Sequence, residues 1–208
     1  MQKKLFLNGE GDKWYLRNRK VLETRTYEND ILCVNIDRIL KLKSKKKILC
    51  LEIGCADGSR LNLIKKKFNN IKVIGVDPSK KATTVGKRKF GIPLYRGTAD
   101  NLKIKKNSID ILIYGFCLYL CDEEDYEKIS NNADKVLKKN GILIIYDFFS
   151  KIPKFNIYKH NKKVNSYKKD FRKIFKNFKC YSNKLIRYSN NKKNKDLLSI
   201  SLLRNKWI

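Results

Sequence analysis

Acidic residues are scarce in this chain: 20 Asp+Glu stand against 49 Lys+Arg in 208 residues, a formal net charge of +29. Long apolar runs are absent, and none approaches the ~18 residues that a bilayer-crossing helix needs, so no membrane span is expected. Cysteines are few and scattered, at 33, 50, 55, 117, 121 and 180. That is neither the density nor the spacing of a disulfide scaffold, and it fits free thiols in a reducing cytoplasm. A secretory signal is also missing: Met1-Gln2-Lys3-Lys4-Leu5-Phe6-Leu7 runs into Asn8-Gly9-Glu10-Gly11-Asp12 instead of a continued apolar stretch with a small-residue cleavage site. The expected location is cytoplasmic. What is present is a core: 42% hydrophobic and 11% aromatic residues exclude a wholly disordered basic tail.

The charge is uneven. Residues 151–208 carry 18 Lys/Arg and two Asp/Glu, a net of +16, and the first 150 carry the remaining +13. Clustered lysine invites a nucleic-acid reading through counterion release. The same blend of Lys, Asn and Ile, in runs such as Lys45-Lys46-Lys47, Lys65-Lys66-Lys67 and Asn190 to Asn194, also matches A·T-rich coding and a solvated surface. A solvated surface is the favoured reading, with an anionic partner kept as the alternative.

Strand-length apolar runs alternate with helical periodicity, the pattern of a parallel α/β sheet with crossover helices. Ile48 to Ile53 reads as a first strand. Leu61, Ile64, Lys65 and Phe68 lie at helical spacing after it. Lys72 to Asp77 is a second strand, Ser79 caps a helix to about Lys89, and short strands follow at Pro93 to Arg96 and Ile109 to Tyr114. Asp122 to Lys139 is predicted as one long helix ended by Asn140-Gly141, and Gly141 to Phe148 as a buried strand. Beyond it the sequence predicts a polar loop from Ser150 to Asn165 and an amphipathic helix from Tyr167 to Phe178. Two strands follow at Lys184 to Tyr188 and Leu197 to Leu203, able to pair antiparallel at the sheet edge. Ahead of the first strand, Asp12 to Leu42 is largely helical, with Trp14, Tyr15, Ile31, Ile36, Ile39 and Leu40 as apolar contacts. The expected organisation is one domain over residues 1–208: a helical extension or lid to 45, a ligand-binding core over 46–150, and an acceptor-side loop, helix and last strands over 151–208.

The first strand feeds Glu52-Ile53-Gly54-Cys55-Ala56-Asp57-Gly58, whose glycines permit a tight strand-to-helix turn and close backbone approach to a ligand. Asp77 ends the second strand 23 residues beyond Gly54, where a carboxylate can accept both hydroxyls of a ribose. Turn and acid together point to an adenosine-like ligand. A G-x-G-x-x-G site begun at Gly54 would need glycine where Ala56 and Ser59 stand, so pyrophosphate is disfavoured, and no phosphate-binding P-loop occurs. The flanking acids Glu52 and Asp57 suit a cation instead.

These residues, with Val76-Asp77-Pro78-Ser79, the Gly97 to Leu102 loop and Ala133-Asp134-x-Val136-Leu137-Lys138-x-x-Gly141, resemble the motifs of class I S-adenosylmethionine-dependent methyltransferases across residues 48–148. Gly9-Glu10-Gly11-Asp12-x-Trp14, Gly115 to Asp122 and Ser166-Tyr167-Lys168-x-Asp170 are similar to a bacterial subgroup with a small-molecule type of methyltransferase domain. The resemblance implies a doubly wound, Rossmann-like, seven-stranded sheet with an antiparallel last strand and S-adenosyl-L-methionine as cofactor. It puts Gly54, Cys55 and Gly58 against the methionine part, with Ala56 in place of a middle glycine. Glu52 and Asp57 fall near the amino end, Asp77 on the ribose, and Pro78 or Ser79 beside the adenine. Thr98 departs from the acid common at its position, leaving Asp100 or the Ala99 backbone to meet the adenine amino group.

Methyl transfer from a sulfonium is an in-line displacement in which the protein mainly aligns the two partners. Gly115 and Phe116, after the fourth strand, should border the sulfonium. His160, the sole histidine, and Asp147, at the end of the fifth strand, are the candidate bases. Trp14 is a candidate lid residue, and Tyr158, Tyr167 and Lys168 are candidate acceptor contacts. Cys117 and Cys121 lack further ligands at metal spacing, so no metal is expected. The expected partner is a small polar acceptor, sugar-like or anionic, methylated on O or N. The alternatives are an RNA methyltransferase using the basic C-terminal part, disfavoured at amines because Tyr114-Gly115-Phe116-Cys117 lacks an Asn/Asp-Pro-Pro-aromatic motif, and a cofactor-binding protein without catalysis. The oligomeric state is not readable from the sequence.

Overall fold

The computed structural model describes residues 1–41, 47–188 and 196–205; the side chains of residues 38–41 are not described. The runs at Lys45–Lys46 and Asn190–Asn194, Leu42, and the expected contacts of Ile39 and Leu40 lie outside what is described. Three N-terminal helices, α1 (Gln2–Leu5), α2 (Gly11–Glu23) and α3 (Ile31–Lys41), precede an alternation of β1 (Ile48–Ile53), α4 (Ser59–Lys67), β2 (Ile71–Asp77), α5 (Lys80–Phe90), β3 (Leu94–Arg96), β4 (Ile109–Gly115), α6 (Tyr126–Val136) and β5 (Leu137–Phe149). The hairpin strands β6 (Lys154–Ile157) and β7 (Asn165–Lys168) follow, and β8 (Phe178–Arg187) and β9 (Leu197–Asn205) close the chain.

Seven strands form one sheet in the order β3-β2-β1-β4-β5-β9-β8. The first five are mutually parallel, and β9 runs antiparallel between β5 and β8. The expected pairing of the last two strands is thus correct, with the final strand wedged inside the sheet rather than at its rim. Crossover helices cover both faces, which is why the central strands are nearly continuous Ile, Leu and Val. Alternate β1 residues serve opposite cores: Ile48 and Cys50 pack with Leu61 and Ile64 of α4, while Leu51 and Ile53 pack with Ile129 and Ala133 of α6. Ser79 caps α5 as expected, its hydroxyl accepting from the Ala82 amide.

Two expectations are corrected. The helix predicted to Lys139 ends at Val136, because Leu137 is already extended, buried and registered opposite Ile109, and Lys138 reaches Asp110 at 2.8 Å. The Tyr167–Phe178 segment is no helix: Tyr167 and Lys168 belong to β7, and only one 3-10 turn, Phe171–Ile174, follows, started by the Asp170 carboxylate accepting from the Arg172 amide. Phe171, Phe175 and Phe178 are still buried, so the apolar spacing reports burial correctly but not conformation. The expected loop before it contains β6, paired antiparallel with β7.

Candidate active site

The parallel strands end on one side of the sheet, and the loops leaving β1, β2 and β4 surround two adjoining chambers there. Gly54, with φ +76°, lets β1 turn back on itself. A Cβ at this position would lie 2.6 Å from Cys117 Cβ, so the backbone is bare where the two loops meet. Ala56 and Phe116 also hold left-handed backbone, φ 50° and 54°, without being glycine. Such strain concentrates at binding sites.

The smaller chamber is bounded by Gly54, Asp77, Pro78, Thr98, Ala99 and Asp100 from the sheet side, and by Lys3, Phe6, Gly11 and Trp14 from the N-terminal segment. Asp77 holds its carboxylate with two backbone amides, Ala56 at 2.8 Å on one oxygen and Ser79 at 2.8 Å on the other. Burial outweighs these donors and raises its pKa to about 6. Asp100 accepts from the Thr98 hydroxyl and from Lys3 Nζ at 2.6 Å, and the same ammonium reaches Asp125 at 2.6 Å. Lys3 thereby staples the N-terminal segment over this chamber. Gln2 adds to the strap by donating to the Leu120 carbonyl and accepting from the Asn165 amide.

The larger chamber, about 840 Å³, begins at Gly54, Cys55, Ala56, Gly115 and Phe116 and extends to the β6–β7 hairpin, with Tyr158, His160 and Lys168 on its wall. Its volume falls in the range of small-molecule sites. Edge-to-face rings line it without a break: Phe116 lies 4.5 Å from Tyr146 and 5.5 Å from Phe148, and Phe148 lies 5.1 Å from Tyr119 and 5.2 Å from Tyr188, between ring centroids. Trp14 joins through its indole N–H, which donates to the Tyr119 hydroxyl. Trp14, Gly54 and Phe116 border both chambers.

Behind Gly115 lies a buried charge cluster. Arg60 Nε donates to both oxygens of Asp30 at 2.9 and 3.1 Å, its Nη1 pairs with Glu52, and Arg25 Nε shares Asp30 at 3.1 Å. Burial pushes the Glu52 carboxyl upward against the pull of Arg60 and Arg25. Its second oxygen, Oε2, is buried with no hydrogen-bond donor. Glu52 lines neither chamber, but its orphaned acceptor lies behind Gly115 on the larger chamber's wall, a position that fits the ammonium of a bound methionine, as a Cβ-free Gly54 and the Asp77 carboxylate fit the rest of the cofactor.

Several expected residues sit elsewhere. Asp57 does not line either chamber; its carboxylate accepts from the Ser59 amide at 3.0 Å and starts α4. Gly58 packs on Leu94, and Ser79 is occupied as the α5 cap. Tyr167 lies against the α6-side core, outside both chambers. Asp147 is fully buried and also outside them: Oδ2 accepts from the amides of Cys117, Leu118 and Tyr119 at 3.1, 2.8 and 3.3 Å, and Oδ1 from Phe148 at 2.8 Å. Burial still lifts its pKa to about 7. It shapes the loop after β4.

His160 is exposed at the rim, edge-on to Tyr158 at 5.3 Å. Desolvation there, followed by the charges of Arg17 and Lys159, lowers its pKa, which keeps the imidazole neutral at pH 7. Lys168 pairs with Asp196 at 2.6 Å and stands 5.3 Å over the Phe148 ring. Lys3, Arg25, Arg60 and Tyr146 were not anticipated; only the strand-end position of Tyr146, one residue before Asp147, carried a signal. Cys121 donates to the Cys117 carbonyl at 3.3 Å, and among the described residues no group of three or more His, Cys, Asp or Glu is arranged to hold a metal ion. No helix of the described residues is long and apolar enough to cross a membrane.

Comparison with known proteins places this architecture. Residues 50–141 match the methyltransferase domain family model. The chain is 28% identical over 117 residues to the ubiquinone/menaquinone biosynthesis C-methyltransferase of Campylobacter jejuni, covering 53% of this chain and 49% of that protein. It is 34% identical over 109 residues to the demethylmenaquinone methyltransferase of Staphylococcus saprophyticus, covering 50% and 46%. The chain spans about half the length of these curated relatives. Among solved structures, the Burkholderia thailandensis 1,6-didemethyltoxoflavin-N1-methyltransferase, bound to 1,6-didemethyltoxoflavin and S-adenosylhomocysteine, superposes with a TM-score of 0.71 at 13% identity, over 97% of this chain and 88% of that one. The match begins inside β1 and ends at Gly141 of β5, so it spans the turn, Asp77 and the loop after β4: over these residues the chain is similar to the methyltransferase domain family.

Proposed function

We propose that the chain moves the methyl group of S-adenosylmethionine to O or N of a small polar acceptor held in the larger chamber. The observation that carries this reading is the shared wall: Trp14, Gly54 and Phe116 border both chambers, so a ligand with its adenosine in one and its methionine in the other passes its sulfur at that wall. The bound cofactor supplies an electrophilic methyl on a sulfonium.

The chain's own residues do the rest. Asp77 accepts the ribose hydroxyls, Pro78 lies beside the adenine, and Asp100 or the Ala99 backbone meets its amino group. Glu52 Oε2 takes the ammonium, and Arg25, on the larger chamber's wall, faces the carboxylate. Phe116 and Tyr146 hold the acceptor against the methyl, so that displacement starts from an aligned pair. His160, neutral at pH 7, is the group at the chamber rim able to take a proton from a hydroxyl or amine. Lys168 and Tyr158 favour an acceptor with an anionic or sugar-like substituent.

The continuous aromatic wall favours a second reading. The two curated relatives are named for quinone methylation, and a flat quinone-like ring accepting the methyl at carbon would stack on the same rings.

Calorimetric titration with S-adenosylmethionine and S-adenosylhomocysteine, followed by transfer of labelled methyl into separated small-molecule, lipid and RNA fractions of a cell extract, tests both. Label in the polar pool supports the first reading and label in the lipid pool the second. Label in RNA, or binding with no transfer to any fraction, would overturn both.

A further inference from the structure

Residues 148–169 contain seven lysines and not one acidic residue. They form the β6–β7 hairpin and its flanks, which makes this the most one-sided stretch of charge within the described fold. Two of the seven are engaged, Lys168 with Asp196 and Lys169 with Glu123. The other five, Lys151, Lys154, Lys159, Lys162 and Lys163, have no acidic partner among the described residues and are exposed. Between them stand three large apolar side chains that the fold leaves in water: Ile152 is 74% exposed, Phe155 65% and Ile157 63%. All four residues of β6 are exposed, so the strand is an uncovered edge with greasy tips and cationic neighbours. Asn156, Ile157 and Lys159 also line the mouth of the larger chamber.

Exposed apolar side chains clustered within six residues mark a contact surface. Its chemistry selects the occupant. Protein interfaces favour arginine and aromatics and are depleted in lysine, whereas this segment has lysine and no arginine, and two of its three exposed tips are aliphatic. A nucleic-acid surface would use the lysines but leave Ile152 and Ile157 facing phosphates, with Phe155 the one ring at the tip able to stack on a base. An anionic phospholipid surface uses both sets at once: the apolar tips enter the acyl boundary while the lysines stay among the headgroups.

We propose that the β6–β7 hairpin docks the protein peripherally on an anionic phospholipid membrane, with the mouth of the larger chamber turned toward the lipid. This rests on exposure, charge and position alone and holds whatever the methyl acceptor is.

The test is co-sedimentation of the full chain with phosphatidylcholine vesicles, with and without about 30% phosphatidylglycerol. Binding is expected to the anionic vesicles and to be at least about tenfold weaker to the neutral ones. Lys151→Glu and Lys154→Glu should each weaken it by about fivefold or more and flatten its salt dependence. Ile152→Ser and Phe155→Ser should each weaken it by about tenfold without changing the salt dependence. All four side chains are exposed, so unchanged melting curves separate loss of docking from loss of fold. Equal affinity for both vesicle types, no sedimentation at all, or serine variants that bind as the parent does would overturn the proposal. Binding of RNA in competition with vesicles, insensitive to Phe155→Ser, would assign the lysines to nucleic acid instead.

Discussion

Lys3 Nζ stands 2.6 Å from Asp100 and 2.6 Å from Asp125, bridging the first helix to the loop after β3 and the start of α6. The first of those carboxylates lines the smaller chamber and so does Lys3 itself, so the ion pair is also a latch. Its two bonds hold the ammonium firmly protonated. An ion pair on a half-exposed lysine adds only about 1 kcal/mol to stability. Its larger effect is expected on closure.

Lys3→Met should therefore leave the melting temperature within a few degrees of the parent while speeding release of S-adenosylhomocysteine by about five- to tenfold. Stopped-flow displacement with a fluorescent analogue measures this. An unchanged release rate would mean that the strap does not gate the chamber.

Asp77 ties cofactor affinity to pH. In the proposed cofactor site ribose hydroxyls would donate to the ionised carboxylate, and burial has raised its pKa to about 6. Affinity for S-adenosylhomocysteine should be flat above pH 7 and fall by about tenfold per unit below pH 6. The stability of the unliganded protein moves the other way. A folded pKa above the unfolded 3.8 means that this group's contribution is complete below about pH 4 and lost as the pH rises through 6. Calorimetry from pH 5 to 8 reads the first effect, and Asp77→Ala should abolish binding. A pH-independent affinity would remove Asp77 from the ribose.

Asp147→Asn replaces an acceptor facing four backbone amides with a group that is half donor. A loss of about 2–3 kcal/mol is expected, with disorder in the turn at Leu118–Leu120. Because that turn carries Tyr119 into the larger chamber, KM for the acceptor should rise more than kcat falls. A variant as stable as the parent would show that these bonds contribute little. A bell-shaped rate profile that lost its lower limb in this variant, with KM unchanged, would instead restore Asp147 as a base.

His160→Ala should lower turnover by about a hundredfold at pH 7 while leaving S-adenosylhomocysteine affinity unchanged, provided that the acceptor group carries a proton to be removed. Single-turnover kinetics separate the two quantities. Turnover equal to the parent would return His160 to the solvated surface.

The strand-turn-helix of β1 and the acid ending β2 were legible because their signals are local: the turn at Gly54 and the strand end at Asp77 show within a few residues of sequence. Asp57 lies outside both chambers for a related reason. An acid before Gly58-Ser59 is equally a helix start, and the fold uses it so. What the sequence could not display is long-range assembly. Arg25, Asp30, Glu52 and Arg60 form one cluster only after the segment between α2 and α3 packs against β1 and α4. Lys3 meets Asp100 across 97 positions. The Phe171, Phe175 and Phe178 spacing suits a helix as well as the turn and strand that form, and Tyr167 and Lys168 pair with β6 in a hairpin. Burial was readable there; backbone conformation depended on a partner elsewhere in the chain.

The position of β9 between β5 and β8 sets the order in which a ribosome can deliver a finished molecule. While the nascent chain still lacks residues 197–205, β5 offers its Ile-Leu-Ile-Ile edge to solvent, and β8 has no neighbour at all. At the usual elongation rates of about 5–20 residues per second, that bare edge persists for seconds after β5 has emerged, an interval in which strands of other chains can add to it. Slow translation of the lysine- and asparagine-rich stretch before Leu197 would lengthen this window, and soluble yield should then follow translation speed through that stretch more closely than it follows the stability of the folded protein.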